Sequence, residues 1–271
     1  MLKWIINSLL AFSFIACQAQ EQSVYYAGSS EKILDSVMAG QNYNSPQQVA
    51  FTFINYPYKS HSLEIPGRER LVVDLTGFDC VTLVENSIAL YMSGGSKNAY
   101  LSNLRNLRYR EGIINGYLSR LHYFTDWIIN AEKSGIVKDV TGELGGKPYS
   151  PPVYFMSTHT NLYPRLERST QIDSLKLIEE RIGKANMLFI PKSSLTSEGT
   201  GIKDGDIVAI VTSIKGLDFT HVGFALRKND NLYFLHASSQ FHKVMVSDVS
   251  LSEYLDAHTH MLGIVVLRMK Q

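Results

Sequence analysis

The hydrophobic period of this chain changes part-way along, and that change restricts the fold more than any other feature. In the front half, apolar residues recur at threes and fours, which is the spacing of helices with one buried face. The segments are Ser30 to Met38, Pro46 to Tyr56, a run from Cys80 stopped at Gly94-Gly95, Lys97 to Leu107, and Leu118 to Lys133 stopped by Gly135. Ser45-Pro46 supplies a cap and a first helical position for the second of these. Gly142 to Tyr163 is rich in Gly, Pro, Ser and Thr and is expected to be a long ordered loop, followed by a charged helix over Gln171 to Arg181. Beyond it the runs are short: Met187 to Ile190, Ile207 to Ile214, His221 to Arg227, Leu232 to His236, Lys243 to Val246 and Met261 to Met269. Gly205, Gly216 and Asn229-Asp230-Asn231 punctuate them as turns. Helices first and closely spaced strands afterwards predict an α+β fold, with N-terminal helices packed on a C-terminal antiparallel sheet. No internal repeat or linker is evident, so residues 20–271 are expected to form a single domain.

Residues 1–19 resemble an export signal, with Lys3 at the start and an apolar stretch from Trp4 to Ala16. Two processing routes are open. Cys17 after Ile15-Ala16 resembles a lipoprotein box and would give a lipid anchor, although Phe14 is unusual there. Alternatively, Cys17-Gln18-Ala19 offers small residues for ordinary cleavage before Gln20. Either route predicts a periplasmic protein or an outer-membrane lipoprotein. A net charge of +1 gives no argument for nucleic-acid binding, and nucleic acid is not expected as a partner. Eleven percent aromatic residues suit a sugar-stacking groove but equally fill strands.

Only Cys17 and Cys80 occur, so Cys80 has no disulfide partner left in an exported chain, and no cysteine pair exists for structural zinc. Taken alone, such a residue is an ordinary buried thiol. Its setting argues otherwise. Asp79 is a good N-cap, and Val81, Val84, Ile88 and Tyr91 follow at helical spacing, which puts Cys80 in the first turn. There the helix dipole favours thiolate and is expected to lower the thiol pKa. A nucleophile needs a base, and His221 opens a strand-like run in Thr220-His221-Val222-Gly223. His236 follows on the next run, beyond a plausible hairpin. His221 would exchange the thiol proton, and His236 would hold its other ring nitrogen, provided the strand register turns both to one side. Asp218 is the rival orienting group. No metal or cofactor is expected.

These residues resemble the NlpC-type cell-wall peptidases and amidases, in the branch related to bacterial N-acetylmuramoyl-L-alanine amidases. The resemblance rests on Tyr56-Pro57-Tyr58, Phe78-Asp79-Cys80-Val81-Thr82 with Val84-Glu85, and Arg120-Leu121-His122-Tyr123-Phe124-Thr125-Asp126-Trp127. It continues through Gly216-Leu217-Asp218, His221-Val222-Gly223 and Leu235-His236-Ala237-Ser238-Ser239. The stretch from Arg120 to Trp127 is the most specific to the branch, whereas Asn55-Tyr56 stand where smaller residues are usual. A monomer is expected. The resemblance implies a papain-like fold and metal-free hydrolysis of an amide in peptidoglycan fragments. The bond is the one joining N-acetylmuramic acid to L-Ala. It also implies that the Tyr58 hydroxyl and the Cys80 N–H form the oxyanion site. By residue type Asp79 is expected to contact substrate, and Arg120 and His122 to face the cleft and hold the sugar lactyl group or the peptide carboxylates. For Arg120 the alternative is a carboxylate pairing within the core. Other readings of the whole chain are a stem-peptide endopeptidase of the same superfamily and a non-catalytic lipoprotein that binds wall fragments.

Overall fold

The computed structural model describes residues 24–40, 42–150, 153–166, 169–196 and 201–270. The expected signal segment and Cys17 therefore lie outside the described residues. In chain order the elements are β1 (Tyr25–Tyr26), α1 (Ser30–Ala39), α2 (Pro46–Thr52), β2 (Val72–Val73), α3 (Cys80–Tyr91) and α4 (Lys97–Arg108). Next come α5 (Phe124–Lys133), β3 (Val137–Asp139), β4 (Lys147–Tyr149), α6 (Phe155–Thr158) and α7 (Ser169–Gly183). The chain finishes with β5 (Met187–Pro191), β6 (Ile207–Thr212), β7 (Phe219–Lys228), β8 (Asn231–Ser238), β9 (Lys243–Val246), α8 (Leu251–Asp256) and β10 (Met261–Met269).

Strands β4, β5, β10, β6, β7, β8 and β9 lie side by side in that order, with β3 added to β10, and all pairs are antiparallel. The sheet is buried on both faces, which explains why Ile207-Val208-Ala209-Ile210-Val211 is a continuous apolar run rather than an alternation. Ile207, Ala209 and Val211 face the helical core, as do Val265 and Leu267. Val208, Ile210, Ile264 and Val266 face a second core shared with Leu251 and Leu255 of α8.

Helix α3 is the centre of the helical half. Asp79 accepts from Thr82 N at 2.7 Å while Thr82 Oγ1 accepts from Asp79 N at 2.9 Å, a reciprocal cap that fixes where the helix begins. Every residue from Thr82 to Leu90 is buried. Its acidic and amide side chains are matched locally: Glu85 takes Arg108 Nε at 2.7 Å, and Asn86 accepts Tyr100 Oη at 2.6 Å. Arg108 also donates to Val72 O, tying α4 to the short parallel pair β1–β2.

Three sequence expectations are corrected. The helix expected from Leu118 begins only at Phe124, because Arg120 is extended and bridges Tyr109, and Leu121 N donates to Arg108 O. The helix from Pro46 stops at Thr52, and Asn55 takes the left-handed conformation (φ 66°) before the chain turns into Tyr56-Pro57-Tyr58. The expected loop over Gly142 to Tyr163 contains β4 and α6, and β4 extends the sheet beyond β5.

Breaking the Glu85–Arg108 pair one side at a time is expected to be severe. Glu85→Ala strands a buried guanidinium and should cost ~3–5 kcal/mol, whereas the apolar double variant Glu85→Leu with Arg108→Met should be far less damaging. Urea unfolding of the three proteins measures the difference.

Candidate active site

Cys80 sits at the first position of α3 and is partly buried. The backbone N–H groups of Val222, Val81 and Cys80 itself favour thiolate, as the helix-start argument requires. They are outweighed. Burial, then the neighbouring Asp79 carboxylate, push the thiol up to about 12, so the resting group is a neutral thiol. The expected lowering of the Cys80 pKa is thus reversed, by burial first and by the capping Asp79 second.

Both candidate imidazoles come to one place. The ring nitrogens His221 Nε2 and His236 Nδ1 are 2.6 Å apart, and the rings meet edge to face at 4.9 Å. Register achieves this. A bulge at Thr220 shifts β7 against β6, where Ile210 pairs with His221 but Val211 pairs with Phe219. Gly223, two residues on, leaves the room that His236 and Phe234 occupy: a Cβ there would lie 3.0 Å from His236 Cβ, 2.8 Å from the Phe234 ring and 2.4 Å from Leu235 O. The glycine of His221-Val222-Gly223 is therefore a packing requirement of the imidazole pair.

Burial, then the charges His236 and His258 would carry, hold His221 well below the usual histidine range. Burial alone lowers His236 to about 4. Both rings are neutral near pH 7. Cys80 reaches the same seam from the helical side, since the Val222 N–H that serves the thiol belongs to the residue after His221. No direct thiol–imidazole hydrogen bond forms among the described residues, a common situation before substrate binds.

Tyr58 is brought beside α3 by a parallel bridge to Phe78, and its N–H donates to His242 O at 2.9 Å. Burial, Cys80 and Asp79 raise its phenol to about 12, so it remains a donor. Asp79 is committed to the helix cap through Thr82.

Arg120 and His122 lie elsewhere. Arg120 is 6% exposed and donates to Glu64 at 2.7 Å and to both oxygens of Glu69 at 3.1 Å. This is the carboxylate pairing. His122 donates Nε2–H to Tyr117 O at 2.9 Å, and burial, then Arg120, lower it to about 3. Asp218 is also spoken for, because it accepts from Thr125 N and Phe219 N at 2.8 Å each and so caps α5. Tyr254 was missed by sequence reading. It packs on His236 at 5.4 Å, and burial, then Cys80, raise its phenol to about 12. Nothing in the local sequence of α8 announces it. Among the described residues no group of three His, Cys, Asp or Glu side chains is arranged to hold a metal ion.

A family model of AmiA-like, N-acetylmuramoyl-L-alanine amidase-like proteins matches residues 48–264. The chain belongs to this family. It is similar to an N-acetylmuramoyl-L-alanine amidase from Bacteroides uniformis ATCC 8492, with 38% identity, a TM-score of 0.81, and coverage of 84% of this chain and 99% of that one. A Bacteroides fragilis protein provisionally described as a xylanase is 35% identical, with a TM-score of 0.80 over 82% of this chain and all of its own. A Legionella pneumophila protein at 24% identity shares the fold, with a TM-score of 0.66 over 89% of this chain and 94% of its own. No curated protein matches the chain. Family and neighbours together support an amidase-type hydrolase of peptidoglycan.

Two outcomes follow from these contacts. Asp218→Asn can accept only one of the two N–H groups, so it should lower stability by ~1–3 kcal/mol while turnover per folded molecule is kept. Melting and initial rates on the same sample separate the two. The second concerns acid. His122 binds a proton near its ordinary 6.5 when unfolded but only near about 3 when folded, so its contribution is complete above 6.5 and is lost as pH falls toward 3. His122→Gln keeps a donor for Tyr117 O without titrating, and its melting temperature should fall less steeply over that window than the wild type's.

Proposed function

We propose that the protein is an exported cysteine hydrolase, on a papain-like NlpC-type fold, that cuts the amide joining the lactyl group of N-acetylmuramic acid to L-Ala in peptidoglycan fragments. The observation that carries this reading is the 2.6 Å contact between His221 and His236, set beside a thiol at a capped helix start. Export by residues 1–19, with or without a lipid anchor at Cys17, is part of the same reading.

The mechanism starts from neutral partners. His221 Nε2 is engaged by His236, which leaves Nδ1 to take the proton from Cys80 Sγ as the sulfur attacks the lactyl carbonyl. For Nδ1 to be the accepting nitrogen, Nε2 must carry the hydrogen and donate it to His236 Nδ1. The same bond then steadies the imidazolium. This arrangement suits a thiol whose own pKa is high, because the proton is transferred during attack rather than beforehand. The carbonyl oxygen becomes an oxyanion within reach of the Cys80 N–H and the Tyr58 hydroxyl. His221 returns its proton to the leaving amine of L-Ala as the carbon–nitrogen bond breaks. Water, deprotonated by His221, then hydrolyses the thioester and regenerates the thiol.

The xylanase description does not carry over. Glycoside hydrolysis ordinarily needs two carboxyl groups across a cleft, and the groups gathered at Cys80 are two imidazoles and phenols, with Asp79 held by its cap. An endopeptidase could use the same trio, so the bond must be identified by product. Mass spectrometry of a defined muropeptide incubated with the protein lacking residues 1–19 is expected to show sugar and intact stem peptide. Products cut within the stem would overturn the assignment. Cys80→Ala should abolish turnover, His221→Ala should reduce it ~100–10,000-fold, and His236→Ala should be milder. The double histidine variant should be little worse than His221→Ala, because residues acting as a unit are not additive.

A further inference from the structure

An orienting imidazole must itself be oriented, and hydrogen bonding does not do it here. Among the described residues the His236 ring makes one hydrogen bond, between Nδ1 and His221 Nε2, and its own Nε2 makes none. One contact fixes a distance but not the plane of the ring. The plane is set by packing. Phe234 stacks on the imidazole at 4.8 Å with planes 20° apart, and Tyr254 stands across it at 5.4 Å and 70°. Phe234 and Tyr254 also touch at 5.7 Å, so His236 rests in a corner made by two rings. Phe234 arrives with β8, but Tyr254 comes from a separate element.

That element is built to stay where it is. Helix α8 has six residues, too few to persist alone, yet both of its ends are held. Ser250 and Glu253 form a capping box, with Ser250 N donating to Glu253 at 2.9 Å. At the other end Lys192 donates to Leu255 O and His258 O at 3.3 Å each. His258 donates Nδ1–H to the carbonyl of Tyr254 itself at 2.8 Å, and its ring packs on the Tyr254 ring at 5.1 Å. Leu251 and Leu255 anchor the inner face in the second core. The Tyr254 hydroxyl, by contrast, makes no hydrogen bond among the described residues and has the Cys80 thiol as its electrostatic neighbour, so no hydrogen bond of that group fixes the tyrosine's position.

We propose that Tyr254 is a positioning residue for the imidazole pair, closing with Phe234 the aromatic corner that holds His236 Nδ1 toward His221. The inference rests on the reading of His236 as the orienting imidazole and adds to it a residue from outside the strand pair. The ring does the work, not the hydroxyl. Tyr254 acts through His236 and needs no contact with substrate.

The test is steady-state kinetics on a muropeptide as a function of pH, for wild type, Tyr254→Phe, Tyr254→Leu, Tyr254→Ala and His236→Ala, with melting measured for each. Tyr254→Phe keeps the ring and should match wild type. Tyr254→Ala and Tyr254→Leu should lose ~10–100-fold in kcat with KM little changed, because the misplaced pair slows proton transfer without weakening binding. The acid limb of the profile should also rise in both. Burial is what lowers His236 to about 4, and water entering the vacated corner moves it back toward the ordinary value. The titratable groups that meet members of that corner are His221, His258 and Cys80, with Lys243 on the neighbouring β9, and none of them is altered. If Tyr254→Ala does not fold, Tyr254→Leu carries the test.

Wild-type kcat and pH profile in Tyr254→Leu would overturn the proposal. So would a Tyr254→Phe variant as impaired as Tyr254→Leu, which would assign the role to the hydroxyl, or a loss confined to KM. His236→Ala separates this failure from a deeper one. If it is slow while Tyr254→Leu is normal, only the aromatic corner is refuted. If it is silent, the thiol–imidazole–imidazole reading falls.

Discussion

Burial of α3 is the constraint on which the rest of the protein depends. A helix enclosed from Thr82 to Leu90 has no solvent face, so its carboxylate and amide groups have to be matched by the protein. Glu85 draws Arg108 from α4, Arg108 reaches Val72 of β2, and Asn86 receives Tyr100. These obligations place α4 and the β1–β2 pair around the helix. It also packs on α2 and on β7 and β8, the strands that carry His221 and His236. The position of the thiol is thus a consequence of core packing. Cys80 is the point where a fully enclosed helix emerges at the sheet.

The same enclosure determines the electrostatics. Burial pushes the thiol up and the imidazoles down, so both partners of the site rest neutral and no ion pair has to be kept out of water. Charge is concentrated elsewhere, in Arg120 with Glu64 and Glu69, in Arg165 with Glu69, and in Arg110 and Arg181 around Asp126. Asp126 of α5 is thereby joined to Arg110 after α4 and to Arg181 of α7, while Glu64 and Glu69 are held by Arg120 and Arg165. Arg120 and His122, which by residue type could equally have held an anionic substrate, belong to this scaffold. The stretch from Arg120 to Trp127 that most marks the branch therefore marks it through architecture: Arg120 binds carboxylates, Phe124 stacks on Trp127 at 4.8 Å, and Asp126 joins two arginines.

Helix α8 shows how far a site extends beyond the elements that carry its reactive atoms. Its inner leucines pack on the sheet face opposite α3, and its tyrosine turns to the imidazoles. Cys80 and the imidazole pair are thus supported from the two faces of one sheet, with Gly223 and the bulge at Thr220 between them. The sheet separates two cores and brings their edges together at the site.

Much was legible in the sequence because it depended on local period and local chemistry. The bounds of β9 and β10 and the start of α3 at Asp79-Cys80 follow from residues within a few positions of one another, and His221 and His236, singled out by their strand-like settings, meet in the fold. What sequence left open was decided by groups distant in the chain. The start of α5 moved to Phe124 because Asp218 supplies its cap from 93 residues away. Arg120 was claimed by Glu64 and Glu69, more than fifty residues upstream. The register that turns both imidazoles to one side needed the bulge at Thr220 and the vacancy at Gly223, and the thiol pKa rose because burial outweighed the dipole. The sequence alone determined which residues could carry out chemistry, since reactivity belongs to residue type and its immediate neighbours. The tertiary structure decided which of them meet and in what protonation state, because register, burial and long-range pairing exist only once the chain is folded.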